Sequence, residues 1–236
     1  MKPTLKTFFA LLALLFAMSC KKENSNLQSS SSTTLSSAAL SADAETNAQA
    51  VTVIKIGKQR WMAKNLSVAR YRNGDKIPQV KNPAAWAGLT TGAWCWYNND
   101  PANDSSYGRL YNYYAVADSR GLAPTGWHIP SDSEWTTLST FLGGDAVAGG
   151  KMKEAGTAHW LDPNTGATNS SGFTALPGGL RQGGGFYILG SWGSWWSSTP
   201  GDNNMIWGRF IFGSDVVLGR GLTDKTYGYS VRCVKD

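Results

Sequence analysis

Apolar and polar residues alternate from Val51 to Ile56, Gly57-Lys58 offers a turn, and Gln59 to Met62 returns, which predicts a β-hairpin. Leu110 to Ala117 carries apolar residues at helical spacing. A second helical face follows in Trp135, Leu138, Phe141 and Leu142, introduced by Ser131-Asp-Ser-Glu134. That tetrapeptide is a capping box: the Ser131 hydroxyl accepts from a free backbone N–H of the first turn, and Glu134 reaches back to the N–H of Ser131. Pro130 stops the preceding Trp-His-Ile strand, and Gly143-Gly144 ends the helix. Beyond residue 155, glycine-rich turns separate short aromatic strands at Ser194–Ser198, Met205–Phe212 and Tyr229–Val234. Short helices early and twisted, loop-rich antiparallel strands late predict a single α+β domain.

The N-terminus follows another rule. Lys2 and Lys6 precede an apolar run from Phe8 to Met18, well short of the ~20 apolar residues a spanning helix needs, so residues 1–19 read as a signal peptide. Ala17-Met-Ser-Cys20 has the form of a lipobox, which makes Cys20 the lipidated residue and the outer membrane the expected address. Lys21-Lys-Glu23 adds a charged signal of the kind that sorts some lipoproteins to the cell surface. Residues 20–50 are rich in Ser, Thr, Ala, Asn and Gln without aromatics, which predicts a disordered tether with a reach of ~30 Å. Residues 51–236 hold all 11 tryptophans and all 9 tyrosines, and form the domain.

Charge and cysteine content narrow the function. The chain is formally +6, and loss of Lys2 and Lys6 leaves +4 with mixed signs, too little to suggest a nucleic-acid partner. With Cys20 assigned to lipid, Cys95 and Cys233 remain in an oxidising compartment and are expected to pair. A loop of that length would contribute up to ~5 kcal/mol in the chain-entropy model. No G-x-S-x-G, HExxH, CxxC or phosphate-binding glycine loop is present, and His128 and His159, each beside a tryptophan, read as packed, hydrogen-bonded core residues. Catalytic residues are therefore expected to be absent.

Two features could carry binding. Asn99-Asp100 and Asp162-Pro-Asn164 sit in oxygen-rich loops of the type calcium accepts, although the same residues serve as ordinary turn formers; no other cofactor is implied. Tyr187, Trp192, Trp196 and Trp207 lie in a glycine-rich stretch where flat aromatic faces could stack on sugar rings, although large aromatics also fill cores. Trp195 and Trp196 point to opposite faces of one strand, so at least one of them is core.

The run Tyr107-Gly-Arg-Leu-Tyr-Asn-Tyr-Tyr-Ala-Val, the segment Pro124 to Trp135, Trp195-Trp-Ser-Ser-Thr199 and Tyr229 to Asp236 together resemble the Fibrobacter succinogenes major paralogous domain, a family of exported bacterial modules. His128-Ile-Pro-Ser-Asp-Ser-Glu-Trp135 and Ser230-Val-Arg-Cys-Val234 are also similar to segments of formylglycine-generating sulfatase-modifying factors. These resemblances imply a C-type-lectin-like fold with first and last strands adjacent. They are nearly silent on activity. The expected role is a cell-envelope binding module for a polysaccharide, with an envelope protein as the other partner class. The alternatives are an enzyme of the sulfatase-modifying or carbohydrate-active kind and a structural surface protein.

Overall fold

The computed structural model describes residues 51–202 and 204–236; the signal peptide, Cys20 and the tether lie outside the described residues. Eleven strands and five short helices alternate in the order β1 (Val53–Ile56), β2 (Gln59–Met62), α1 (Pro83–Ala87), β3 (Trp94–Cys95), α2 (Asp104–Tyr107), β4 (Leu110–Tyr111), α3 (Tyr113–Val116), β5 (Trp127–His128), α4 (Asp132–Phe141) and α5 (Asp145–Met152), then β6 (Leu180–Gln182), β7 (Gly185–Tyr187), β8 (Trp192–Pro200), β9 (Ile206–Phe212), β10 (Leu218–Thr223) and β11 (Val234–Lys235). The fold class is α+β, with every strand pair in the sheets antiparallel.

The predicted hairpin forms with Ile56 opposite Gln59, and its second strand pairs with β11, which in turn pairs with β5. The last strand thus joins the sheet of the N-terminal hairpin, beside β2 and one strand away from β1, in the order β1-β2-β11-β5. A second sheet, β10-β9-β8, carries the aromatic strands. The capping box is complete: the Ser131 hydroxyl accepts from the Glu134 N–H at 3.2 Å, and the Glu134 carboxylate accepts from the Ser131 N–H at 2.8 Å. Trp135, Leu138 and Leu142 then pack with Trp61, Phe173, Trp195, Ile211 and Leu218 in one cluster.

Two local expectations change, and one helix is added. Phe141 is 63 % exposed, lying across Gly57 at the β1–β2 turn rather than in the core. The expected helix from Leu110 begins only at Tyr113, because the buried Asn112 side chain caps it by accepting from the N–H of Ala115 and of Ala93, leaving Leu110 and Tyr111 to pair with β3. And α5 follows Gly143-Gly144 at once. Its Gly149 and Gly150 lower helix propensity but allow contact with the backbone of Val216 and Val217, where a Cβ on Gly149 would come within 2.4 Å of the Val217 carbonyl oxygen.

Irregular chain leaves backbone carbonyls without ladder partners, and buried ones must find donors. Here buried cations supply them. The Lys153 ammonium donates to the carbonyls of Thr165, Phe212, Gly213 and Asp215 at 2.8 to 3.3 Å. Arg181 donates to Val80, Lys81 and Gly184, with its guanidinium 4.3 Å from the Trp86 ring centre. Arg232 donates to the carbonyls of Met62, Ala63 and Phe173 and to Asn65 Oδ1, and burial pushes its pKa down to about 9. Arg209 reaches Asp132 and Thr136 at the start of α4. Each cation is fully buried, and each ties together segments distant in sequence.

The expected Cys95–Cys233 disulfide is not formed. Both thiols are free and buried, Cys95 among Trp86, Ala93, Tyr97 and Leu110, Cys233 in the separate cluster with Met62, Tyr111 and Val231. Burial pushes the Cys95 thiol up to about 11 and that of Cys233 up to about 12, so both stay protonated and unreactive.

Candidate binding surface

The four aromatics singled out in the sequence do not form one platform. Trp196 is core: it is fully buried, its indole N–H donates to the Tyr111 carbonyl at 2.7 Å, and its ring lies 4.8 Å from that of Tyr229. Trp192 pairs with Phe212 across β8–β9, and period-two geometry sends Trp207 to the opposite face of the sheet. There the Arg220 guanidinium covers the Trp207 ring at 3.3 Å while holding Asp132 at 2.9 and 3.0 Å. Trp192, half-buried, rests on Phe212 and Phe210 at 4.4 and 5.7 Å. Tyr187 alone of the four is open, 50 % exposed, and its ring lies back across Gly185, where a Cβ would come within about 3 Å of the ring.

Three of the four proposed calcium ligands hydrogen-bond to backbone. Asn99 donates to the Lys81 carbonyl, and Asp100 caps the turn that follows by accepting from the Ala102 N–H. Asn164 is buried, and its amide donates to the carbonyls of Glu154 and Gly156 at 2.9 and 2.6 Å. Asp162 is exposed beside Pro163. Calcium needs six to eight oxygens in one place. Among the described residues no group of three or more His, Cys, Asp or Glu is placed to hold a metal ion; Asn99 and Asn164 spend their amide N–H groups on backbone carbonyls, while the side-chain oxygen of each is buried without a hydrogen-bond partner.

Asn164 holds in place the loop that carries Glu154 and His159. Glu154 accepts from His159 Nδ1 at 2.9 and 3.0 Å, and the His159 ring meets the Tyr107 ring edge-on at 5.8 Å. Tyr107 is half-buried, and burial together with the Glu154 carboxylate pushes its hydroxyl above the ordinary tyrosine range. His159 is hydrogen-bonded as expected but is not core, with a third of its side chain exposed.

Close glycine contacts join this loop to the one bearing Tyr187. The Leu161 N–H donates to the Gly190 carbonyl at 2.7 Å, and its side chain lies where a Cβ on Gly190 would be. The Gly190 N–H donates to Pro177, Gly178 packs against Tyr107, and Gly179, at φ +64°, lies against the Tyr187 carbonyl. Ile188 also has positive φ, +58°, which costs a β-branched residue about 1–3 kcal/mol. Its carbonyl accepts from the N–H groups of Ser191 and Trp192, which pins the turn and leaves the side chain facing out. Leu161, Tyr187 and Ile188 are thereby exposed together in one set of adjoining loops, with the Glu154–His159 pair and Tyr107 alongside. The glycines, Tyr187, His159 and Asp162-Pro-Asn164 signalled this region in the sequence, but not as one site. Leu161 and Ile188 look like core residues, and the Glu154–His159 spacing belongs to no known motif.

His128 is likewise engaged by carboxylates, Nδ1 with Asp236 at 2.6 Å and Nε2 with Glu134 at 2.7 Å. Both ring nitrogens are engaged, so the group clamps β5, β11 and α4.

No curated protein and no solved structure matches the chain. A family model described as the Fibrobacter succinogenes major domain matches residues 54–235, nearly the whole of the described region. The chain belongs to the Fibrobacter succinogenes major domain family.

Proposed function

We propose that this chain is a lipid-anchored envelope protein whose C-type-lectin-like domain binds a polysaccharide at the adjoining loops around Tyr187, Leu161 and His159. The observation that carries this reading is the Tyr187 ring, half exposed and lying against Gly185. An aromatic face of that kind stacks on the C–H face of a pyranose, and loops held by buried cations hold it rigid. The lipobox at Cys20 and the tether of residues 20–50 supply the anchor in this reading, with the outer membrane as the site. The reading is of a binding role, supported by the engagement of His128 with two carboxylates and the burial of both domain thiols.

The test is a broad glycan array probed with the full-length chain, with calcium and again with chelator. Binding that survives chelator and is lost in Tyr187→Ala is the expected result. Binding that requires calcium would return the oxygen-rich loops of Asn99, Asp100, Asp162 and Asn164 to consideration and displace the Tyr187 surface.

A further inference from the structure

We infer that the ligand of this surface is an uncharged, hydroxyl-rich polysaccharide, recognised without a metal through His159 Nε2. The inference rests on the binding reading above and adds the ligand's chemical class. Glu154 accepts from His159 Nδ1 through both carboxylate oxygens, which places the imidazole proton on Nδ1. Nε2 is then an acceptor lone pair on a part-exposed side chain, with no protein partner among the described residues. Its natural partner is a hydroxyl hydrogen.

Charge decides between neutral and acidic polymers. The segments 104–107, 154–164 and 183–192 contain no lysine or arginine, while Asp104, Glu154 and Asp162 are acidic. The cations closest in sequence to these loops are buried: Lys153 donates to four carbonyls, Arg181 to three, and Arg109 pairs with Asp104 at 3.7 Å, which leaves Glu154 and Asp162 as the carboxylates without a cation. An acidic polysaccharide would meet carboxylates with no cation in these segments to answer its own, and like charges at a binding surface are strongly disfavoured. A neutral glycan meets none of this. It finds instead the flat face of Tyr187, the apolar flank of Leu161 and the acceptor at His159.

The experiment is affinity electrophoresis of the full-length chain, in chelator, through gels containing neutral polysaccharides (mannan, galactomannan and laminarin) or acidic ones (alginate and polygalacturonate). Three variants run beside it: Tyr187→Ala, His159→Leu and Trp207→Ala, the last on the far face of the sheet, each first checked for an unchanged melting transition. Retardation by a neutral polymer, weakened about tenfold in the Tyr187 and His159 variants and unchanged in Trp207→Ala, supports the inference. Retardation by acidic polymers alone overturns the neutral class while leaving the binding reading intact. Neutral binding that survives both Tyr187→Ala and His159→Leu overturns the site. Silence in every gel and on the array overturns the binding reading, and the inference falls with it.

Discussion

The α4 corner and the loops that follow α5 are both well ordered, yet they are held by different physics. At the corner a capping box starts a ten-residue helix and Trp135, Leu138 and Leu142 bury one face, so order comes from periodic local chemistry. Residues 153–191 contain two strands of three residues each, and their course is set by side chains that reach backbone carbonyls far away. A helix satisfies its own backbone. An irregular loop must be satisfied from outside, and this domain does so with buried lysine, arginine and asparagine.

The sharpest way to break that contrast is Arg232→Met. The side chain would lose four acceptors, three of them backbone carbonyls, and leaving buried carbonyls unpaired costs 1–3 kcal/mol each before relaxation. A loss of about 3–5 kcal/mol is expected in urea unfolding, as large as that of Leu138→Ala, a fully buried leucine on the helix face. If Arg232→Met were as stable as the parent while Leu138→Ala was not, the loops would be held by apolar contact alone.

A smaller effect is expected where helix and loop meet. Gly149→Ala would raise helix propensity by about 1 kcal/mol, yet its Cβ would sit 2.4 Å from a backbone oxygen that no rotamer change can move. Overpacking of this kind costs about 1–3 kcal/mol, so net destabilisation, read as a lower urea midpoint, is expected. A more stable variant would mean that α5 can slide away from Val217.

These two substitutions also mark what could be read from the chain. The β1–β2 hairpin, the capped helix and the late aromatic strands were legible because Ile54, Ile56, Ser131, Glu134, Trp135 and Leu138 act within a few residues of their own position. Phe141 fits the same helical pattern and is nonetheless exposed, since periodicity gives a face but not where that face ends. Lys153 and Arg232 carried no local signal of burial, because the carbonyls that receive them lie up to 170 residues away. The candidate surface was half visible for the same reason. Tyr187 and Trp192 stood out as aromatics near glycines, whereas the pairing of His159 with Glu154 and its approach to Tyr107 depend on Asn164 and on close packing at Gly178.

The pH response separates the two regions again, with a modest effect. Burial alone would push the His128 imidazole down, but the Glu134 and Asp236 carboxylates outweigh it and hold the pKa above the ordinary histidine value. A raised folded-state pKa means stability that is fully present below the unfolded value near 6.5 and is lost as pH rises through the folded one. Glu134 has the opposite sign: burial pushes it up, but hydrogen bonds from Ser131 and His128 bring it below the usual glutamate range, so its contribution fades in acid. The melting temperature of the parent is expected to decline between pH 6 and pH 9, and His128→Gln to flatten that decline. Equal slopes in both proteins would mean that the clamp at the α4 corner carries no stability.

The smallest expected effect is none at all. A Cys95–Cys233 bridge would have contributed up to ~5 kcal/mol, so reductant would lower the melting temperature sharply if the bridge existed. With both thiols free and packed in separate clusters, reductant should leave the transition unmoved, and both should react with alkylating reagent only after denaturation. Reductant-sensitive melting would show that a covalent tie between β3 and the segment before β11 shares the work now assigned to the cations. An unmoved transition would leave Arg181, which passes beside Cys95, and Arg232, next to Cys233, as the ties that hold those two segments.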